Sequence, residues 1–210
     1  MAGVLGRWSN RTLWLHGLTR RSTGRADSWL LPGERQRGAP VTSLVSRHDQ
    51  MSLSIVPLDL RQLKSLEVDG LHLDGTQVAI GALPPRFILE GAVGALHEGK
   101  PSVWFSPYAF IDNRLDQVVG TGGFKGSPVD RRVEIGYGVA EELRGNGLAT
   151  AAVRELVRVA FLDPVVVEVY AETSTDNVAS RRVVEKAGFR HLGRRRTDAD
   201  GTVDQWLISK

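Results

Sequence analysis

The residues Arg144-Gly145-Asn146-Gly147-Leu148-Ala149 place two glycines one residue apart, directly before an apolar-periodic run, Leu148 to Phe161, that reads as a helix. They follow an alternating segment, Val133-Glu-Ile-Gly-Tyr-Gly-Val139, within a run from Arg132 to Val139 that reads as a strand. A strand, a glycine-bearing turn and the start of a helix in that order form an anion cradle. Glycine lets backbone approach a ligand with no Cβ in the way. The first helical turn has N–H groups without intrahelical partners and a partial positive charge. Together they bind phosphate or pyrophosphate. The donors are expected from the backbone of Gly145, Asn146, Gly147, Leu148, Ala149 and Thr150, with Arg144 adding charge.

The same six residues fit the pattern Arg/Gln-x-x-Gly-x-Gly/Ala, which resembles the acyl-CoA pyrophosphate loop of the GNAT superfamily of N-acetyltransferases. The stretch Glu134 to Arg144 resembles that family's fourth strand running into its loop. Asp176-Asn177-Val178-Ala179-Ser180, with Val183 to Phe189, resembles its next block, in the order and spacing of the ribosomal-protein N-acetyltransferase (RimJ and RimL) branch. Gly122 to Pro128 also resembles a segment of that branch. The resemblance implies an α+β fold, a mixed, splayed sheet of about seven strands flanked by about four helices, with acyl-CoA wedged where two strands part. It implies acetyl-CoA as cosubstrate, no metal, and a primary amine on a small molecule or peptide as acceptor.

Amine acetylation requires a base for the ammonium proton, donors for the thioester carbonyl and an acid for the departing thiolate. The resemblance puts the carbonyl donor at the backbone near Val139. Two carboxylates compete as base: Glu134, on the strand before the loop, and Glu172, five residues before Asn177. Partial burial between strands is expected to raise such a carboxyl toward working pH. Glu134 is favoured, because Glu168 and Glu172 recur on one strand face that reads as solvated. Asn177 either bonds the pantetheine arm or caps the helix that follows. Many family members carry a tyrosine acid seven residues after that asparagine; here the position is Val184, so Ser180 or water must serve. The chain has no cysteine and no evident Ser–His pairing, so transfer is expected to be direct, without an acyl-enzyme.

The elements that must hold these groups alternate between strand and helix patterns. Ser52 to Leu58 reads as a strand and Leu58 to Leu66 as a helix. Pro84-Pro85 opens a second helix, Arg86 to Glu98. Ser102 to Ile111 and Gln117 to Phe124 read as a hairpin around Asp112-Asn113-Arg114. Val165 to Ala171 has the continuous apolar, β-branched character of a central strand. Asn177 to Lys186 reads as a helix stopped by Gly188, and Phe189 to Arg195 with Val203 to Ile208 as a closing hairpin. Gly120, Gly122, Gly123 and Gly126 lack the Gly-Lys-Ser/Thr ending of a triphosphate loop and read as a bulge and turn. Arg194-Arg195-Arg196 reads as a solvated strand end, the alternative being contact with an acidic substrate or a CoA phosphate.

Charge divides the chain. Residues 1–50 hold eight arginines and three acids, +5; the whole-chain +3 therefore leaves residues 51–210 at −2. A basic-surface argument for nucleic-acid binding thus fails for residues 51–210, which have no basic excess. Residues 1–50 read as an Arg-rich extension and 51–210 as the acetyltransferase domain. The extension is open to three readings: a disordered or non-native tail, an organellar transit peptide, or a partner-binding arm carrying Trp8, Trp14 and Trp29. No apolar run approaches the ~18 residues of a membrane span. The absence of cysteine fits a reducing, cytoplasmic setting, and a homodimer is left open. The five histidines show no metal-ligand spacing. Two rivals remain. A dinucleotide-binding enzyme is suggested by Gly145-x-Gly147-x-x-Thr150, but the third position is not glycine. The other is a non-catalytic acyl-CoA-binding protein of the same fold. Glu67, Asp69 and Asp74 are candidate attractants for a cationic acceptor.

Overall fold

A computed structural model describes residues 53–68, 70–197 and 201–210. The readings of residues 1–50 and of Asp69 lie outside them. The described residues form a nine-stranded mixed sheet with five α-helices, so the α+β expectation holds and the expected counts were low. In chain order the elements are β1 Leu53–Pro57, α1 Leu60–Val68, β2 His72–Leu73, β3 Thr76–Val78, α2 Arg86–His97, α3 Ser102–Phe105, β4 Tyr108–Asp112, β5 Gln117–Phe124, β6 Arg132–Val139, α4 Leu148–Leu162, β7 Glu168–Ser174, α5 Val178–Ala187, β8 Arg190–Thr197 and β9 Gly201–Ser209. The sheet runs β1-β4-β5-β6-β7-β9-β8, with β3 beside β5.

Three differences from the sequence reading have local causes. Ser102–Phe105 is a helical turn rather than the start of a strand, because Pro101 and Pro107 bracket it; β4 begins only at Tyr108. The apolar run at Val165 starts inside a turn, where Asp163 accepts from the Val165 N–H at 2.8 Å, and β7 begins at Glu168. The two-residue β2 and three-residue β3 are too short to show a period of their own.

Helices cover both faces. On α4, Leu148, Ala152, Val153, Leu156, Val157 and Ala160 are buried at helical spacing against β6 and β7 residues such as Val133, Ile135 and Val169. On the other face Leu63 and Leu66 of α1 and Leu89 and Ala92 of α2 pack on Ala109 and Val118. Gly122 is required by close approach: a Cβ there would lie 2.5 Å from the Phe110 ring and 2.7 Å from the Gly136 carbonyl. The β4–β5 register shifts at Phe110/Ile111, opposite Gly120, so the glycine run does carry a bulge.

The register of β6 is the feature that builds the site. Against β5 it is antiparallel over its second half, Ile135 to Val139. Against β7 it is parallel only at its start, where Arg132, Val133 and Glu134 pair with Glu168, Val169 and Tyr170. Beyond Tyr170, β7 continues paired to β9 alone, through Ser174. The sheet therefore opens into a V between Ile135–Val139 and Ala171–Ser174.

Candidate active site

A cleft of about 460 Å³ fills this V, within the size range of small-molecule sites. One wall is β6 from Ile135 to Val139; the other holds Glu172, Asn177 and Ser180; Gly145, Gly147, Leu148, Ala149 and Thr150 close one end, and Pro84, Phe87 and Ile88 line the other side.

Strand alternation decides which backbone groups face the gap. The Glu134 carbonyl accepts from Lys125 N–H at 2.9 Å and the Ala140 N–H donates to Val119 O at 2.9 Å, so even-numbered residues of β6 bond to β5. The N–H and C=O groups of Tyr137 and Val139 then point toward β7, where the partner strand has left. Polar backbone groups directed into a cleft can bond an extended ligand.

In the loop beyond Val139, Gly145 and Gly147 both take left-handed backbone, φ 84° and 77°, which a side chain would strain. A Cβ at Gly145 would meet open space, so the cost of substitution there is conformational rather than steric. Gly147 caps α4 without a side-chain bond, and the first backbone bond across the turn is Ala151 N–H to Gly147 O at 3.0 Å. The N–H groups of Leu148, Ala149 and Thr150 precede that bond and lie at the positive end of a 15-residue helix. Leu148 is buried by its side chain, anchoring the turn in the core while its backbone faces the cleft. Arg144 sits 3.8 Å from Glu141 on the rim, and Asn146 donates to the Leu143 carbonyl at 3.2 Å, bracing the turn; Asn146 is outside the cleft lining.

The two candidate bases occupy different places. Glu172 lines the cleft and its side chain is 5% exposed, so the face of β7 read as solvated is covered there. Its Oε1 accepts from Tyr170 Oη at 2.5 Å, Arg195 Nη2 at 2.8 Å and Gln205 Nε2 at 3.3 Å. Burial pushes its carboxyl up, but the bonds from Tyr170, Gln205 and Arg195 outweigh burial and hold it below the ordinary glutamate value. The raised value expected from partial burial is thus reversed, because three donors converge on one oxygen. Glu134 is 29% exposed, is held by Lys125 Nζ at 2.5 Å, and lies outside the residues that line the cleft.

Asn177 is the N-cap of α5: its Oδ1 accepts from the Ser180 N–H at 2.9 Å. It also borders the cleft, so the capping role and cleft access coexist. Ser180 Oγ lies 2.8 Å from the Tyr137 hydroxyl, which also donates to the Ser180 carbonyl at 3.2 Å. Tyr137 borders the cleft and was not singled out in the sequence, although it shares strand parity with Val139. Val184, where a family tyrosine was missing, is fully buried in the core.

Other sequence candidates are engaged elsewhere. Asp74 is tied to Arg61 at 2.7 Å and to Gln62 at 2.6 Å and does not line the cleft, and neither does Glu67. Arg194 and Arg195 are not simply solvated: Arg194 bonds Asp204 at 3.0 Å and Arg195 bonds Glu172. Among the described residues no group of three or more His, Asp or Glu is placed to hold a metal, and no helix is long and apolar enough to cross a membrane.

A splayed mixed sheet with a glycine-bearing loop at the mouth of the V defines an acyltransferase architecture, and the match to known families agrees. The family described as acetyltransferase (GNAT) domain matches residues 60–190, and the chain belongs to it. Over 68 residues the chain is 40% identical to the Bacillus subtilis (strain 168) protein named "Putative ribosomal N-acetyltransferase YdaF", covering 32% of this chain and 37% of that one. Over 61 residues it is 41% identical to FsC-acetyl coenzyme A-N(2)-transacetylase of Aspergillus fumigatus, covering 29% of this chain and 26% of the other. Each match thus spans well under half of the curated relative. Among solved structures, the aminoglycoside acetyltransferase AAC(6')-Ib in complex with ribostamycin and coenzyme A superposes with a TM-score of 0.55 at 24% identity, over 76% of this chain and 94% of that one. RimL, a ribosomal L7/L12 alpha-N-protein acetyltransferase in complex with coenzyme A, superposes with a TM-score of 0.55 at 15% identity, over 76% and 95%. These two likenesses establish the fold.

Proposed function

We propose that the chain transfers the acetyl group of acetyl-CoA directly to a primary amine of a small molecule or a peptide. The observation that carries this reading is the V itself: backbone groups of Tyr137 and Val139 open toward a departed strand, beside a helix N-terminus cradled by two left-handed glycines. These residues fit the cosubstrate. The Gly145–Thr150 backbone and Arg144 suit its pyrophosphate, and the β6 edge suits its amide-bearing arm. Acetyl-CoA supplies an activated acyl group and a good leaving group; the chain supplies position and proton management.

In this proposal the Val139 N–H polarises the acyl oxygen, a fixed donor that needs no reorganisation during reaction. Glu172 takes the base role because it borders the cleft. Its lowered proton affinity makes it permanently ionised near neutral pH, so it draws the acceptor ammonium in and passes its proton out through water rather than storing it. Glu134 holds Lys125 at the point where β6 and β7 part and acts on the geometry of the V. Asn177 fixes the first turn of α5 and so places Ser180 beside Tyr137.

The test is free-thiol release from acetyl-CoA against a panel of amines. Amine-dependent release supports transfer. Coenzyme A binding with no release by any amine supports the rival reading, an acyl-CoA-binding protein on this fold. Absorbance at 340 nm with reduced nicotinamide cofactor separates out a dinucleotide enzyme.

A further inference from the structure

Direct acyl transfer leaves a thiolate that needs a proton, and the helix position from which the resembled family supplies a tyrosine is here the core residue Val184. A tyrosine of a different element nevertheless borders the cleft, with its hydroxyl on a second cleft residue, Ser180. Tyr137 projects from β6, two residues before Val139, and borders the cleft. Its hydroxyl lies 2.8 Å from Ser180 Oγ and donates to the Ser180 carbonyl at 3.2 Å. One phenolic hydrogen cannot serve both contacts, so the serine hydroxyl donates to the phenol oxygen and the phenolic hydrogen rests on the longer bond. That hydrogen is the one free to turn into the cleft.

Resting on the acetyl-transfer reading above, we propose that Tyr137 is the proton donor to the departing thiolate, with Ser180 as the group that stabilises and resupplies it. As the new nitrogen–carbon bond holds and the carbon–sulfur bond breaks, the bonding pair goes to sulfur and the Tyr137 proton joins it there, giving the free thiol. The phenolate left behind is held by the hydrogen bond from the Ser180 hydroxyl and regains a proton from water, relayed through that hydroxyl in one concerted shift with no alkoxide formed. The proton released by the acceptor ammonium leaves to water past Glu172, so the cycle closes with no net change in the protein.

Two further observations favour the phenol over the serine as terminal donor. Burial pushes the Tyr137 phenol up to about 12, the Ser180 bond opposing that rise, yet a phenol at this value remains a far stronger acid than an aliphatic alcohol. The phenol also springs from the β6 stretch whose backbone faces the gap, so strand geometry rather than a flexible loop sets its distance to the acyl group.

The experiment replaces Tyr137 in the full chain by Phe and, separately, by ring-fluorinated tyrosines that keep its shape and hydroxyl while making it more acidic. Thiol release and coenzyme A binding by calorimetry are measured for each, beside Ser180→Ala. Tyr137→Phe is expected to lower kcat about 10²-fold with coenzyme A affinity unchanged. Ser180→Ala is expected to lower kcat less, and the fluorinated series to change kcat in step with phenol acidity. A purely positioning tyrosine would leave kcat indifferent to ring fluorination, and that result overturns the proposal. So does full kcat in Tyr137→Phe with wild-type turnover intact, which leaves acetyl transfer itself standing. A wild-type chain that binds coenzyme A but releases no thiol with any amine overturns the transfer reading and this one with it.

Discussion

Two buried carboxylates stand on opposite faces of the β7–β9–β8 ribbon, and only one of them meets the cleft. Asp204 on β9 is 2% exposed and gathers Arg194 at 3.0 Å, His191 at 3.1 Å and Arg181 at 3.5 Å on the α5 side. Glu172 on β7, opposite the next β9 residue Gln205, gathers Tyr170, Arg195 and Gln205 on the other side. In both, burial pushes the carboxyl up and the surrounding donors more than offset it, so both stand below their ordinary values. Burial, charge partners and a shifted proton affinity therefore do not distinguish a site from a strut. What separates the two is access to the V: Glu172 lines it and Asp204 does not.

The comparison yields a graded set of outcomes. The largest belongs to Glu172→Gln, which is expected to lower kcat about 10²–10⁴-fold while leaving coenzyme A binding intact, as read by steady-state thiol release and calorimetry. Next is Asp204→Ala, which strips the partner from Arg181, Arg194 and His191; urea denaturation is expected to show a loss of about 3 kcal/mol, with kcat largely retained by the folded fraction. A kcat loss matching that of Glu172→Gln would erase the distinction between the two faces.

The pH dependence follows from the same pair. Both folded values lie below the unfolded ones, so their stabilisation is present above the ordinary carboxylate range, about 4, and is lost as pH falls through the folded values. The stability gap between wild type and Asp204→Ala should stay constant from neutral pH down to about 5 and narrow below about 4. The smallest effect is expected of Glu134→Gln: little change in kcat, with a shift confined to stability through the lost Lys125 bond. A large kcat loss there, with Glu172→Gln active, would move the base to β6.

The glycine turn, the helix start and the strands beside them were legible because their determinants are local. Two glycines before a helical period specify a turn and a helix N-terminus wherever they fold, and β5 and β6 were read to their observed ends, Gln117–Phe124 and Arg132–Val139. The Tyr137–Ser180 contact was not legible. Tyr137 sits inside an alternating apolar segment and looks like core; only the parting of β6 from β7 exposes it, and that depends on β9, some 70 residues later, drawing β7 away. The arginine run at 194–196 looked solvated for the same reason: its carboxylates, Glu172 and Asp204, arrive from other strands. Spacing alone could not place Glu134 and Glu172, since both lie on strands beside the V and only the three-dimensional register sends one into it.

The central claim, that the parted strands and the Gly145–Thr150 turn form an acetyl-CoA site, is tested most directly by Gly147→Trp. Gly147 sits at φ 77° as the N-cap of α4, where an indole would strain the turn and occupy the anion position. Calorimetry with coenzyme A on the wild type and the variant is expected to show saturable binding in the first and a loss of about 10²-fold or more in the second, as two or more charge-assisted bonds are removed. Unchanged coenzyme A affinity in a folded Gly147→Trp variant would contradict the account.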